Sequence, residues 1–475
     1  MFDAIARDAH PPLFYVLMRG WLGLFGPSIF AARMFGVVGG VVGVGLTWGL
    51  LRELVRQQGP SPSEDGTTQP QVLARKLFPL VGTLLVALDP LHVQLSQEAR
   101  PYTLGVSLSL ISAILLCKVI RQPIRFSNWM GCVVSVALLS WTHYYCLWTV
   151  AALLMVLLVE GLIQLRQPEF HTSGQRLLGG LALTIAALQL VWFPWYGTFE
   201  FQQARAHRQL WMPPLTSEQI FTALGKALTS GQDPAFRADD LWWAPIAWGS
   251  IGLLSIWRGG RYGRLLGLLA VFPILSTWAY SANVRNILGV RYLVFAQVFC
   301  LLATLWLIAG IHRRALRASA IALLIAWTSC WMWSSYVQRI RQAEVPGLTA
   351  AIAHIDGQAA DALVVVSSPF VYTMTLPVVG ERDTWRLQYR GNHRDNILSG
   401  PALQLTDYQS TGRLLSAHPP EVWTLDETGQ FRSESRVRLP LGYELIEEHD
   451  FPDRLRRPIH FWVRHYQWRG GETQE

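Results

Sequence analysis

Residues that could do chemistry gather in four short segments between long apolar runs. The segments are residues 7–15, 89–102, 141–145 and 285–293. A carboxylate can take a proton from an attacking hydroxyl group, and the planar fork of an arginine matches the oxygens of a phosphate. If the four segments face one side of a membrane, they can share a pocket that holds a lipid-linked phosphate and neutralises a departing anion.

The first two segments supply acids and cations at helix ends. Asp8 and His10 precede a Pro-Pro pair that fits the first turn of a helix, so they either form part of a site or only cap that helix. Glu98 and Arg100 share one tight turn, where charges must pair or meet a ligand. The spacing leaves open both a structural ion pair and a ligand site.

The third and fourth segments combine aromatic rings with a cation. His143 lies among tyrosines, which is typical of a hydrogen-bonded structural histidine as well as of a ligand. Arg291 precedes a 19-residue run without charge, so it either anchors a helix by extending to the membrane surface or holds an anionic headgroup. We expect Tyr102, His143 and Tyr292 to line the substrate pocket.

The apolar runs predict a protein of mainly α structure, a polytopic transmembrane helix bundle. Hydrophobic residues make up 51% of the 475 and charged residues 15%, against about 25% charged in a soluble domain. A membrane-spanning helix needs about 20 apolar residues. Ten candidate spans lie near residues 28–51, 77–95, 103–120, 128–143, 145–165, 177–197, 241–257, 265–283, 292–311 and 318–337.

The arginines predict the orientation, because basic residues concentrate in cytoplasmic loops. They occupy alternate loops, beginning with Arg52 and Arg56 and ending with Arg313, Arg314 and Arg317, whereas the polar segments occupy the other loops. We therefore expect a multi-pass protein of the plasma (inner) membrane. The polar segments and the C-terminus would lie on the extracytoplasmic side.

The chain divides into a transmembrane domain, residues 1–344, and a small soluble α/β domain, residues 345–475. The second part carries a net charge of −4, whereas the whole chain carries +8. Residues 362–367, 421–425, 443–447 and 460–465 are typical of strands, and 347–355 and 412–417 of helices. This domain has no Gly-rich loop and no ligand cluster in sequence, so no chemistry is predicted for it.

The composition disfavours two functional classes, proteins with cysteine-based metal or redox sites and nucleic-acid-binding proteins. The five cysteines lie in or beside apolar runs without metal-binding or redox spacing, so they resemble small core residues. The isoelectric point is about 9.4, but the basic residues are scattered between apolar runs. We therefore predict no nucleic-acid partner.

Four sequence stretches carry a family resemblance, which covers roughly residues 8–336. They are HPPLFYVLMRGWLGLFGPSIFAARMFG, LDPLHVQLSQEARPYTL, WTHYY and GVRYLVFA. The chain resembles the multi-spanning glycosyltransferases of the GT-C class. Within that class it is similar to family 39, the dolichyl-phosphate-mannose-protein mannosyltransferase-like group, and to its RgtA/B/C/D-like bacterial branch.

The resemblance implies an inverting hexosyl or pentosyl transfer from a polyprenyl-phosphate sugar donor. The acceptor would be a lipid, a glycan or a protein at the extracytoplasmic face, with membrane lipids as further partners. It implies catalytic roles for Asp8 and Glu98. Three cations, His10, Arg100 and Arg291, would bind the donor phosphate. No His/Asp/Glu spacing demands a metal ion, but the sequence is compatible with a divalent cation near Glu98.

The chain departs from the family pattern at its N-terminus. The family usually has a further helix and an Asp-Glu pair before the HPP segment, whereas only nine residues precede His10 here. We expect Met1 to be an internal start with an eleventh helix upstream. Two alternatives stay open: a catalytically inactive truncated relative, and a lipid-linked sugar transporter or flippase, which would carry charges near the middle of its spans.

Overall fold

The computed structural model divides the chain into two compact units, Met1–Ser335 and Tyr336–Glu475. It describes residues 10–56, 69–208, 214–232, 241–343, 347–359, 361–368, 371–372, 375, 379, 384–388, 408–428, 437–453 and 459–470. The candidate residue Asp8 lies outside these described ranges.

The first unit is built from helices. In chain order they are α1 (Leu13–Phe25), α2 (Ile29–Arg56), α3 (Gln69–Ala87), α4 (Pro90–Ser96), α5 (Tyr102–Arg121), α6 (Phe126–Ser140), α7 (Cys146–Leu165), α8 (His171–Trp192), α9 (Tyr196–Arg208), α10 (Ser217–Leu228), α11 (Ala244–Arg258), α12 (Gly260–Asn283), α13 (Val294–Ala309) and α14 (Arg314–Ala343). The boundary between the units falls within α14. Leucine, valine and alanine side chains dominate the core that these helices share.

Within the described residues, seven segments are long and apolar enough to cross a membrane, and they contain α2, α5, α7, α8, α12, α13 and α14. An eighth span results if α3 and α4, which meet at a bend of 60°, count as one. The two other predicted spans correspond to α6 and α11, of 15 residues each. At about 1.5 Å per residue each is about 22 Å long, shorter than the roughly 30 Å hydrocarbon core. The chain is an integral membrane protein.

A glycine face on α2 brings this helix close to the polar turn before α5. A Cβ atom on Gly36 would lie 2.5 Å from the backbone oxygen of Glu98. The Thr103 hydroxyl donates to the Gly36 oxygen at 2.9 Å, and the Ser107 hydroxyl to the Gly39 oxygen at 2.8 Å. Small residues allow such approach between membrane helices, and polar side chains then bond across the contact.

The break between α3 and α4 is fixed by Asp89, which caps α4. One Asp89 oxygen accepts from the His92 backbone amide at 2.7 Å, and the other accepts from the Gln297 side chain. His92 in turn contacts the Gly40 oxygen through its ring nitrogen at 3.2 Å. These buried bonds show that Asp89 and His92 position the turn that follows α4.

The second unit contains a mixed five-stranded sheet of order β2-β1-β3-β5-β4. Its elements are α15 (Gly347–Ala359), β1 (Leu363–Val366), β2 (Trp385–Leu387), α16 (Tyr408–Ser416), β3 (Glu421–Thr428), β4 (Tyr443–Asp453) and β5 (Ile459–Trp468). Strands β2, β1 and β3 are parallel, and β5 pairs antiparallel with β3 and β4. The four predicted strands correspond to β1, β3, β4 and β5. The three-residue strand β2 was not predicted.

Replacing Gly36 by alanine should destabilise the first unit, because the new methyl group would overlap the Glu98 carbonyl. Overpacking of this kind costs about 1–3 kcal/mol. Thermal unfolding of the purified protein in detergent measures the effect. The matched control is Gly45→Ala on the same helix, where no atom lies within 4 Å of the added carbon. Equal unfolding temperatures for the two variants would contradict the close contact.

Candidate functional site

The four polar segments lie at the N-terminal ends of helices on one end of the bundle. His10 lies three residues before the start of α1, and the turn holding Glu98 and Arg100 precedes α5. His143 lies in the turn before α7, and Arg291 lies in a 3-10 turn, Val290–Leu293, before α13. The helices thus deliver segments that are distant in sequence to a common region.

His143 is the centre of an aromatic cluster that joins the segments. Its ring centroid lies 4.9 Å from that of His10, 5.6 Å from that of Tyr102 and 5.4 Å from that of Tyr292. Tyr145 stacks on Tyr292 at 4.8 Å with 21° between the ring planes. His143 is buried. The charged groups lie beside these rings, which we call the aromatic floor: His10, Tyr102, His143, Tyr145 and Tyr292.

The cations lie beside this cluster. The Arg291 guanidinium is close to the Tyr102 hydroxyl and within electrostatic range of Glu98. Arg100 is exposed and lies within electrostatic range of Tyr102 and Tyr292. The structure therefore brings together seven predicted site residues, namely His10, Glu98, Arg100, Tyr102, His143, Arg291 and Tyr292.

The Glu98–Arg100 turn is closed by the backbone. The Arg100 amide donates to the Glu98 oxygen at 2.8 Å, and within the described ranges no ion pair joins the two side chains. The Glu98 carboxylate instead accepts from the Gln232 side chain at 2.9 Å. The half-buried Glu98 therefore leaves the positive charge of Arg100 available for an anion.

Gln232 and Gln94 are site residues that sequence reasoning missed. The Gln94 side chain donates to the backbone oxygen of Ser230 at 2.9 Å and accepts from the backbone N–H of Gln232 at 2.5 Å. Gly231 between them has φ +68°, and a Cβ there would overlap the Gln94 amide. The segment after α10 is thereby held against the Glu98 turn, a contact that no local sequence signal indicates.

Acids at the opposite end of the bundle have a different environment. Glu53 pairs with Arg121 at 2.9 Å, and Glu160 pairs with Arg264 at 2.6 Å and Arg261 at 3.2 Å. The Glu160 side chain is only 1% exposed. These acids neutralise arginines where helices end, which is a structural role. Glu98, in contrast, lies among the candidate site residues.

An apolar cavity of about 1160 Å³ also lies at this arginine-rich end. Its lining includes Phe78, Arg258, Trp306 and Arg314. None of the candidate site residues contributes to it. The cavity and the polar cluster are therefore separate features of the first unit.

The fold is that of polytopic GT-C type membrane proteins, and the predicted helix bundle with a small C-terminal α/β domain is confirmed. A crystal structure of ArnT from Cupriavidus metallidurans bound to undecaprenyl phosphate matches at TM-score 0.50 and 14% identity, over 95% of this chain and 88% of that one. The apo structure of the same protein matches at TM-score 0.48 and 14% identity, over 88% of this chain and 82% of that one. At this identity the likeness concerns the fold.

Neither the family models nor the curated proteins give a match. The narrower resemblance to the mannosyltransferase-like branch therefore stays a prediction.

Replacing Glu160 by glutamine should lower stability, because two guanidinium groups would share a neutral amide. Removing one partner of a buried ion pair costs about 3–5 kcal/mol, and partial exposure of the two arginines lowers this to roughly 2 kcal/mol. Glu169→Gln, at an exposed position in the nearby turn Pro168–Phe170, is the matched control. Thermal unfolding in detergent compares them, and identical curves would contradict a structural role for Glu160.

Proposed function

We propose that the chain is an integral-membrane glycosyltransferase. It transfers a sugar from a polyprenyl-phosphate-linked donor to an acceptor at the extracytoplasmic face. The observation that carries the proposal is the convergence of Arg291, Arg100 and His10 with one carboxylate, Glu98, on an aromatic floor. A sugar phosphate ester matches this surface in two ways. Its phosphate is an anion, which suits the cations, and its sugar ring can pack on the aromatic side chains.

The fold supports the same conclusion. One ArnT structure with this fold is bound to undecaprenyl phosphate, and a polyprenyl phosphate is the group that leaves in the proposed reaction. The candidate cations lie at helix ends, where a lipid phosphate can reach them while its chain stays in the bilayer. The narrower assignment to the mannosyltransferase-like branch, and with it a hexosyl or pentosyl donor, is part of this proposal.

The reaction would be a single in-line displacement at the anomeric carbon. The acceptor hydroxyl oxygen forms the new glycosidic bond while the bond from the anomeric carbon to the phosphate oxygen breaks. Polyprenyl phosphate departs with the electron pair, and the configuration at carbon is inverted. Arg291 and Arg100 stabilise the negative charge that develops on the leaving oxygen, and His10 binds the same phosphate.

A carboxylate takes the proton of the acceptor hydroxyl. Glu98 is the candidate base in the described part of the chain, and Asp8 is the candidate in the segment before His10. Gln232 holds Glu98 by a side-chain hydrogen bond of 2.9 Å, which orients the carboxylate. Tyr102, His143 and Tyr292 would form the wall against which the sugar ring packs.

The orientation in the membrane follows from the arginines. Arg121, Arg261 and Arg264 pair with buried acids at the end away from the candidate site, and basic residues favour the cytoplasmic side. In the plasma (inner) membrane the candidate site and the soluble α/β domain, residues 345–475, would then be extracytoplasmic.

Removing Arg291 should abolish most transfer. We expect Arg291→Ala to lower the rate about 10²–10³-fold, the usual effect of losing one group that stabilises transition-state charge, and Glu98→Gln to lower it comparably. Purified protein in liposomes is incubated with a panel of radiolabelled polyprenyl-phosphate sugars, and new glycosidic products are counted. The matched control is Arg52→Ala, an exposed arginine at the other end of α2, which should transfer normally.

Unchanged transfer in both site variants would remove these residues from the reaction. Movement of labelled lipid across the liposome bilayer without any new glycosidic bond would favour a transporter. Absence of both activities in the wild type, with every donor of the panel, would favour an inactive relative.

Binding of the leaving group should separate the roles of the two residues. We expect Arg291→Ala to weaken undecaprenyl phosphate binding at least about 10-fold, and Arg291→Lys to weaken it less, because lysine keeps the charge but lacks the fork. Glu98→Gln should bind as tightly as the wild type or more tightly, since it removes a negative charge near the phosphate. Native mass spectrometry measures the bound fraction, and equal binding by all variants would contradict a phosphate site at Arg291.

A further inference from the structure

Three potential ligand side chains meet on one face of the C-terminal sheet. They are His354 of α15 and Glu447 and His449 of β4, and one ligand atom from each lies within 4.8 Å of the other two. The Glu447 carboxylate lies 3.3 Å from the His449 ring nitrogen. The His354 and His449 ring centroids are 4.3 Å apart. All of these residues belong to the second unit.

The local structure explains why they converge. Glu447 and His449 are two positions apart on a strand, so both point to the same face of the sheet. Helix α15 covers that face by burying Ala351, Ile352 and Ile355 against the sheet. His354 lies between these core positions in α15. Its side chain is therefore at the edge of the helix–sheet contact, next to Glu447 and His449.

Packing alone does not account for the His354 side chain. Its Nε2 atom is buried and has no hydrogen-bond partner in the described part of the chain. A buried polar atom without a partner costs about 1–3 kcal/mol. The rings of Trp423 and Phe451 lie beside it, with centroids 6.1 Å and 5.4 Å from that of His354. Two imidazoles and a carboxylate, all partly exposed, form a cluster of electron-pair donors that a cation would satisfy.

We propose that His354, Glu447 and His449 bind a divalent transition-metal ion, with Zn²⁺ as the best match. Two imidazole nitrogens and one carboxylate oxygen are ligands that Zn²⁺ prefers, whereas Mg²⁺ and Ca²⁺ select oxygen ligands. Because the three ligand atoms lie within 4.8 Å of one another, an ion at their centre would lie at most about 2.8 Å from each atom. Side-chain rotations that move each ligand atom inward by up to roughly 0.7 Å would give the Zn–N distance of about 2.1 Å.

A fourth coordination position stays open on this set of three ligands. The residue opposite Glu447 on β5 is His465, whose Nδ1 atom lies 3.9 Å from the other Glu447 oxygen. This separation is longer than a hydrogen bond, so His465 lies beside the ligand set as a neighbour of the carboxylate. The bound ion would link α15 to β4 and stabilise the second unit, because it binds only the folded arrangement. This proposal is independent of sugar transfer.

The test uses the full chain in detergent with any affinity tag removed. After treatment with a chelator and its removal, Zn²⁺ is titrated by calorimetry, and unfolding is recorded with and without the ion. We expect one ion per chain and a higher unfolding temperature with Zn²⁺. His354→Ala and His449→Ala should each raise the Kd at least about 10-fold. The matched control is His460→Ala, which removes an exposed His–Asp pair of the same strands (2.8 Å from Asp450) and should bind normally.

A spectroscopic measurement on the wild type keeps the proposal testable even if a variant misfolds. X-ray absorption of the Zn²⁺-loaded protein should show two imidazole ligands with oxygen ligands completing the shell, and Co²⁺ in its place should give visible bands of low coordination number. Absence of binding by the wild type, or a shell without imidazole, would overturn the proposal. Equal affinity in His354→Ala, His449→Ala and the wild type would also overturn it.

Discussion

Close contact between α2 and the start of α5 is the constraint on which the polar end of the bundle depends. In a bilayer, backbone and side-chain polar groups must find partners within the protein. Here the carbonyl groups of Gly36 and Gly39 accept bonds from Thr103 and Ser107. Because glycine removes every side-chain atom from that face, the Glu98 turn can lie directly against the helix. The candidate carboxylate is therefore positioned by backbone geometry more than by its own charge.

The two ends of the first unit distribute their charges differently. At one end Glu53 and Glu160 are matched by arginines, which neutralises charge at the helix ends. At the other end Arg291 and Arg100 outnumber the described carboxylate Glu98, which accepts a hydrogen bond from an amide rather than from an arginine. An excess of positive charge over an aromatic floor favours an anionic ligand. The same contrast explains why, in the described part of the chain, this end of the bundle is the one that suggests chemistry.

The sequence predicts the helical, membrane-spanning architecture well because long apolar runs have few other folded solutions. It also predicts that residues such as His10, His143 and Arg291 lie at the same end, since their segments alternate along the chain with the arginine-rich loops. It does not predict span length where turns shorten a helix, as in α6 and α11. Nor does it predict contacts such as Gln232 with Glu98, which join segments more than 100 positions apart. His354 and Glu447 are separated by about 90 positions, so their meeting emerges only from the packing of α15 on the sheet.

The position of His143 has an evolutionary consequence. Its ring contacts residues from three segments, among them His10, Tyr102 and Tyr292, and residues in mutual contact do not respond independently to substitution. A new substrate preference at this surface would therefore require compensating replacements in separate helices. Relatives with different substrates are expected to differ there in sets of residues, and libraries that vary one of these positions at a time would sample few functional solutions.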